Sequence, residues 1–361
     1  MKQIAYLCLS KGWGGLEMNQ IRNAKAMQDR GHNVLILTLN NSATLFEAQQ
    51  QNLPYYTFEK KPTYYQWFFA WKIARYLSKE NIKHLFFRNN REMSLAASIA
   101  FFSNRKIEVH YFMEMALGGR KTQWFRTLRY AFFSTWNCPL PYLVLQVKEN
   151  ARTNNSKINL IPSGFHFSTD TIPDQKSARF KLKWPEKSKI LVVVGRLDPK
   201  KRQDFVWDMF SKRQAEDEYL IFVGASTADE APVFEKDLRV KINAHPKRKS
   251  VLWAGFQDDM QAVYAAADLI IMASAFETFG MATLEALGTG CPVVGSNTGG
   301  SSELLELYGG GLTFKKERQE DLSEQIDQVL KGAFPAVKIE QLKQHFSFEH
   351  VCEQIENKVL I

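Results

Sequence analysis

Two glutamates, Glu277 and Glu285, stand eight residues apart in the segment ASAFETFGMATLEALGTGCPVVGSNTGG, which is otherwise apolar or small. A carboxylate in such surroundings needs a partner, because burying it alone is costly. The preceding LIIMAS reads as strand, and Phe279 to Leu287 contains good helix formers. Glu277 is therefore expected in a strand-to-helix loop, with Glu285 about two turns inside the helix. Eight helical residues rise ~12 Å, a span suited to two contacts on an extended ligand rather than to a carboxylate dyad. Between the two acids, a helix start offers N–H groups at Phe279, Gly280 and Met281, which favour an anion. The implied ligand carries hydroxyls at both ends and an anion in the middle, as a nucleotide sugar does. The plainer alternative is a helix-capping acid plus an ordinary surface glutamate.

A second motif supplies cations. VVVGRLDPKK places Arg196 just after a buried strand and Lys201 five residues on. Arginine offers a planar fork and lysine a compact charge, and both suit phosphate. The loop Gly12-Trp13-Gly14-Gly15-Leu16-Glu17 follows the first strand. It is not G-x-G-x-x-G, which weakens a dinucleotide-binding reading, but its glycines allow close backbone approach to a ligand at a helix start. In GSNTGGSSE, Ser301 or Ser302 is expected to cap a further helix.

These loops must be held by something, and the chain supplies alternating strand and helix signals. QIAYLCLS, NVLILTL, IKHLFF, KIEVHYF and YLVLQV read as short strands, separated by helical stretches such as Glu17 to Arg30, QWFFAWKIARYLSK and REMSLAASIAFF. After a Pro-, Gly- and Ser-rich joint, INLIPSGFHFSTDTIPDQ, the alternation restarts with KILVVVGRL, YLIFVGA, VLWAGF, DLIIMAS, CPVVGS and GLTF. Strands alternating with helices predict parallel sheets covered on both faces. The reading is an α/β chain of two doubly wound, Rossmann-like domains facing a cleft: 1–166, 167–340, and a final helix over 341–361 returning to the first. Such sheets bind ligands at the carboxyl ends of their strands.

The 361 residues are 45% hydrophobic, enough for two cores. Cys8, Cys138, Cys291 and Cys352 are scattered, giving neither a zinc motif nor a disulfide framework, which suits a reducing cytoplasm. No stretch approaches the ~20 apolar residues of a membrane span. MKQIAYLCLSKGW lacks the pattern of a signal peptide and reads as a first buried strand. Residues 1–165 carry a net +13, the remainder −4. The basic front half includes GGRKTQWFRTLRYAFFSTW, where Trp124, Leu128, Phe132 and Trp136 recur every four residues as one helical stripe beside Arg120, Lys121, Arg126 and Arg129. With KKPTYYQWFFAWKIARY, this points to an anionic membrane surface or an acidic acceptor; the plainer alternative is a core-facing helix whose basic residues are simply solvated.

Together these motifs resemble the retaining glycosyltransferases of family 4, which have the GT-B fold. The resemblance runs through GGLE…AMQDRGHNVLILT, LIPSGF, VGRLDPKK, ADLIIMASAFETFGMATLEALGTGCPVVGSNTGGSSELL, GGGLTF and FSFEHV. It implies that Arg196 and Lys201 hold the donor diphosphate. Glu277 would contact the sugar and face its reacting carbon, and Glu285 would bind the ribose. Amides near Phe279, Gly280 and Met281 would meet sugar or phosphate, with Gly14 and Gly15 lining the cleft. The sequence departs from the pattern at Arg202, where glycine is usual, and at Ser163, where asparagine is common. It departs again where a histidine is expected at the end of an N-terminal strand: His110 comes early, and Met113 or Glu114 takes that place.

The expected activity is transfer of a hexose-type sugar from a UDP-, GDP- or ADP-sugar to a glycan or lipid-linked acceptor, as in polysaccharide or lipopolysaccharide biosynthesis. No D-x-D metal anchor is present, so neither metal nor further cofactor is expected; Asp258-Asp259 reads as a helix start. The expected setting is the cytoplasm, in peripheral contact with the inner face of the cell membrane. A nucleotide-sugar epimerase or phosphorylase on the same architecture is the alternative enzyme. A nucleic-acid-binding module leaves the two glutamates unexplained.

Overall fold

The computed structural model describes residues 1–60, 67–167, 171–226 and 232–361; the side chains of residues 125, 126 and 232 also lie outside the description. The chain divides into two compact units, one made of Met1–His166 with Gln344–Ile361, the other of Phe167–Lys343.

The first unit is built on a seven-stranded sheet: β1 (Gln3–Cys8), β2 (Asn33–Leu39), β3 (Tyr55–Phe58), β4 (His84–Phe87), β5 (Glu108–Phe112), β6 (Thr135–Cys138) and β7 (Ile158–Leu160). Their spatial order is β3-β2-β1-β4-β5-β6-β7, all parallel. Apolar runs such as β4 are buried throughout because helices cover both faces. On one face, Ile4, Tyr6, Phe86 and Phe112 pack with Ile21 and Met27 of the helix Gly15–Asp29 and with Val351 and Ile355 of the helix Phe348–Lys358. The chain terminus thus completes this unit's core. Gly164 at the inter-unit joint lies flat against Phe348, whose ring a Cβ would meet at 2.5 Å.

The second unit carries β8 (Lys189–Val194), β9 (Glu218–Val223), β10 (Val251–Gly255), β11 (Leu269–Met272), β12 (Val293–Ser296) and β13 (Gly311–Phe314), in parallel order β10-β9-β8-β11-β12-β13. Its core joins Leu191, Leu220, Leu269 and Ile271 to Trp207 and Phe210.

Three local expectations are corrected. YLVLQV lies in a helix, Pro141–Asn150, not a strand. Pro141 sits at its first position, where a missing N–H costs nothing. Leu143 and Val147 are buried while Leu145 is exposed, a helical period rather than an alternating one. The stripe from Trp124 to Trp136 is not one helix: the helix ends at Tyr130, and Trp136 is buried within β6. The final helix is two, Ile339–Phe346 and Phe348–Lys358, because the Ser347 hydroxyl accepts from His350 N and starts a new turn.

Candidate functional site

In the second sheet, β8 is flanked by β9 on one side and β11 on the other. The crossovers diverge there, so the loops after β8 and β11 part and leave the crevice in which open α/β sheets bind ligands. Both sequence motifs fall in these two loops.

The β8 loop turns at Gly195, φ 138°, and passes Arg196. It then forms a 3-10 turn, Pro199–Lys201, capped by Asp198, whose Oδ1 accepts from Lys200 N at 2.8 Å. Gln203 Nε2 donates to Arg196 O at 2.7 Å. Arg202 is left-handed, φ 59°. That conformation suits glycine, which accounts for the usual residue; here the guanidinium lies 4.2 Å over Phe205 and pairs with Glu317.

The β11 loop is tied to this one where Ala275 N donates to Lys200 O at 2.8 Å. Across the same junction, Lys201 Nζ donates to Glu277 Oε2 at 2.7 Å. Neither side chain is fully buried, so both remain reachable. Glu277 O accepts from Gly300 N at 2.7 Å. A Cβ on Gly299 would fall 2.2 Å from Glu277 O, and one on Gly300 2.2 Å from Phe279 O. These glycines let the loop after β12 press against the segment that carries Glu277.

The helix Met281–Gly288 starts behind Gly280, left-handed at φ 88°. Phe279 is buried and Met281 half-buried. Glu285 is therefore just over one turn in, not two. Its Oε2 accepts from Tyr264 OH at 2.6 Å, and burial followed by the Glu285 charge raises the Tyr264 phenol. Ser301 caps nothing: Gly299 is the N-cap of the next helix, and Ser301 Oγ lies 2.8 Å from Thr283 Oγ1, joining two helices.

Lys201 and Glu277 are thus brought into direct contact. Arg196 shares the β8 loop, with Nη2 3.9 Å from Asp198 Oδ2. Glu285 is held on the adjoining helix. Asp259 does start a helix, its Oδ1 accepting from Ala262 N.

In the first unit the corresponding divergence lies between β1 and β4. Gly14 is the N-cap of the helix after β1, and no atom stands within 4 Å of a Cβ placed on Gly15. Leu9 N donates to Glu92 Oε1 at 2.6 Å across the junction. Arg88, one residue past β4, pairs with Glu114, whose carboxyl burial pushes upward against the pull of Arg88; Ser163 Oγ donates to the same carboxylate at 3.4 Å. Sequence reasoning passed over Arg88, although an arginine immediately beyond a buried strand is the signal that singled out Arg196. Tyr264 gave no such signal.

His110 is fully buried at the middle of β5, two residues short of the strand's carboxyl end. Burial, then His84, lowers its pKa.

Residues 174–344 match the family model described as Glycosyl transferases group 1. Over the whole chain, the structure is similar to that of Anabaena Alr3699/HepE in complex with UDP: TM-score 0.84, 20% identity, 99% of each chain covered. A glycosyltransferase from Rickettsia africae gives 0.83 at 17% identity, covering 99% of this chain and 97% of that one. This is the GT-B fold. The second unit is related to the group 1 glycosyl transferases. Curated relatives align more locally. Mannosylfructose-phosphate synthase of Agrobacterium fabrum is 27% identical over 150 residues, 40% of this chain and 33% of that protein. N-acetyl-alpha-D-glucosaminyl L-malate synthase of Bacillus anthracis is 31% identical over 147 residues, 40% of this chain and 37% of that protein. The chain therefore spans little more than a third of the length of these relatives.

Proposed function

We propose that this GT-B chain is a retaining glycosyltransferase moving a hexose-type sugar from a nucleoside-diphosphate donor to a glycan or lipid-linked acceptor. The observation that carries the reading is the Lys201–Glu277 contact at the β8–β11 divergence, inside the stretch that matches the group 1 model.

Departure of a nucleoside diphosphate builds negative charge on phosphate oxygens. Arg196, Lys201 and the amides near Phe279, Gly280 and Met281 meet that charge. Fixed donors placed where charge develops are usually the largest catalytic contribution. In the resting site Glu277 occupies Lys201; a bound diphosphate competes for the lysine and turns the carboxylate toward the sugar. Tyr264 orients Glu285 for the ribose hydroxyls. Gly15 leaves bare backbone at the start of the first unit's helix. A UDP-sugar is the first donor to try, because the Anabaena protein has been solved with UDP-glucose.

The acceptor side is the basic first unit. Among the described residues no helix is long and apolar enough to cross a membrane. The helix Trp67–Lys79 does expose Trp67 and Phe68, with Lys72 Nζ 4.7 Å from the Phe68 ring and Arg75 5.5 Å from that of Trp71. Aromatic rings beside cations suit an anionic bilayer surface. Of the stretches first suspected, residues 61–66 and the Arg126 side chain lie outside the described residues. Arg129 is engaged with Ser94 and Tyr130.

A thermal-shift screen of UDP-, GDP- and ADP-sugars tests the reading, since a ligand that binds only the native state raises its melting temperature. A shift with one base, lost in Lys201→Ala, is expected. No shift with any of them overturns it.

A further inference from the structure

Three residues outside the proposed donor site meet at the other end of the first sheet. His84 opens β4, Glu108 opens β5, and His110 follows two residues later on the same face. His84 is in register with Glu108, so adjacent strand starts put all three side chains together. His84 Nδ1 and His110 Nε2 are 3.3 Å apart. Glu108 Oε2 lies 3.5 Å from the first and 3.6 Å from the second.

The geometry points to a divalent transition-metal site, of zinc type, with His84 Nδ1, His110 Nε2 and Glu108 Oε2 as protein ligands. Tetrahedral bonds of about 2.0–2.1 Å separate ligand atoms by about 3.3–3.4 Å. The three observed separations match that edge to within a few tenths of an ångström. Two imidazoles and one carboxylate are a known zinc donor set, one that Fe(II) shares.

The surroundings agree. Metal binding at Nε2 of His110 requires the ring proton on Nδ1, and Thr135 Oγ1, 3.0 Å away, is placed to accept it. Asn137 Nδ2 donates to that same hydroxyl at 3.0 Å, holding it in place. Such outer hydrogen bonds orient metal-bound histidines and fix their tautomer. The two histidines are buried while Glu108 is 48% exposed, which leaves an entry path from solvent on the carboxylate side. Lys2 and Lys83 lie close enough to make the place more positive, so an anionic ligand is needed to retain a dication, and Glu108 supplies it. Bound there, the ion staples β4 to β5 at their amino ends. With three protein ligands, the fourth position is left to solvent, and the site is separate from the proposed donor site at the carboxyl ends of β8 and β11.

The test uses the full chain, stripped with a chelator and dialysed. It is titrated with Zn2+ against a chromophoric chelator and with Co2+ read by visible absorption. One Zn2+ per chain, Co2+ bands of four-coordinate intensity and a raised melting temperature with Zn2+ are expected. Glu108→Gln, at a half-exposed position, should weaken Zn2+ binding by about 10-fold or more while the metal-free protein melts unchanged; Thr135→Val should weaken it by about 10-fold. His345→Ala should change nothing, although His345 and His350 form a second histidine pair with ring centroids 5.6 Å apart. Absence of stoichiometric binding overturns the proposal. So does binding that Glu108→Gln leaves intact, because the ion would then be held elsewhere.

Discussion

Lys201 Nζ lies 2.7 Å from Glu277 Oε2, bridging two loops that leave adjacent strands in opposite directions. The pair holds a cation and an anion in the place where the proposed donor needs each of them separately. Glu277→Gln keeps the shape and removes the charge; Lys201→Ala removes the phosphate ligand. Both are expected to lower the rate of sugar transfer by about 100-fold or more. Melting temperatures should stay within a few degrees of wild type, since a partly exposed pair contributes about 1 kcal/mol or less. Full transfer by either variant excludes the proposed roles.

Tyr264 OH donates to Glu285 Oε2 at 2.6 Å. If Glu285 binds the ribose, Tyr264→Phe removes one hydrogen bond that orients that carboxylate, without touching the phosphates. The expected result is a donor KM raised by about 10-fold, in line with the loss of one hydrogen bond to a charged group, with kcat nearly unchanged. An equal fall in kcat would instead place Glu285 in the chemical step.

Much of this was legible in the sequence because parallel strands, buried on both faces, read as continuous apolar runs, and LIIM and ILVVV read so plainly that the loops after them could be placed. YLVLQV misled because a short apolar run has no period of its own; the proline ahead of it was the deciding residue. The stripe from Trp124 to Trp136 misled differently. Its spacing is helical, yet the chain leaves the helix at Tyr130, and Trp136 satisfies a strand core instead. Tyr264 was invisible because it reaches Glu285 from a different helix, and only the fold brings the two together.

The exposed rings of Trp67 and Phe68 share one helix with Lys72, which lies over Phe68, and with Arg75, which lies over Trp71. Cosedimentation with anionic vesicles should fall in Trp67→Ser/Phe68→Ser, and more steeply at low salt in Lys72→Gln/Arg75→Gln, because exposed charges are screened beyond a Debye length. Donor binding should be unaffected in both. Equal recovery with vesicles across all variants would leave these rings as ordinary surface.

Glu356 fastens the terminal helix to the first unit. Arg30 donates to its two carboxylate oxygens at 3.0 and 2.7 Å, and His32 Nε2 lies 2.8 Å from Oε1. Lys2 N donates to His32 Nδ1, which puts the ring proton on Nε2, facing Glu356. Hydrogen bonding from Arg30 pulls the Glu356 carboxyl down to about 2. Unfolded, a glutamate titrates near 4.3. The folded value is the lower one, so the stabilisation is complete above about 4.3 and is lost as pH falls toward about 2. Its size is on the order of 1–3 kcal/mol, the lower end being favoured by partial exposure. Glu356→Gln should therefore melt lower than wild type at neutral pH, and the two should converge near pH 2. A gap that stays constant with pH would assign the effect to packing instead.

Gly300 and Gly15 separate structural from functional demands on glycine. Gly300 is pressed against Phe279, with space for no further atom, and its N–H donates to Glu277 O. Gly300→Ala must push the β12 loop off the segment that carries Glu277. Forcing a methyl into a filled site costs about 1–3 kcal/mol, so both the melting temperature and transfer should drop. Gly15 is the opposite case: a Cβ there meets nothing within 4 Å, and the residue opens a helix. Alanine is the better helix former by roughly 1 kcal/mol in a helix interior, so Gly15→Ala should melt at or above wild type. If donor or acceptor approaches the backbone there, transfer falls nonetheless, and a stable but slow enzyme results. Wild-type rates in Gly15→Ala would mean that the ligand keeps its distance from the start of this helix, and Gly14 and Gly15 would then be needed only for the turn.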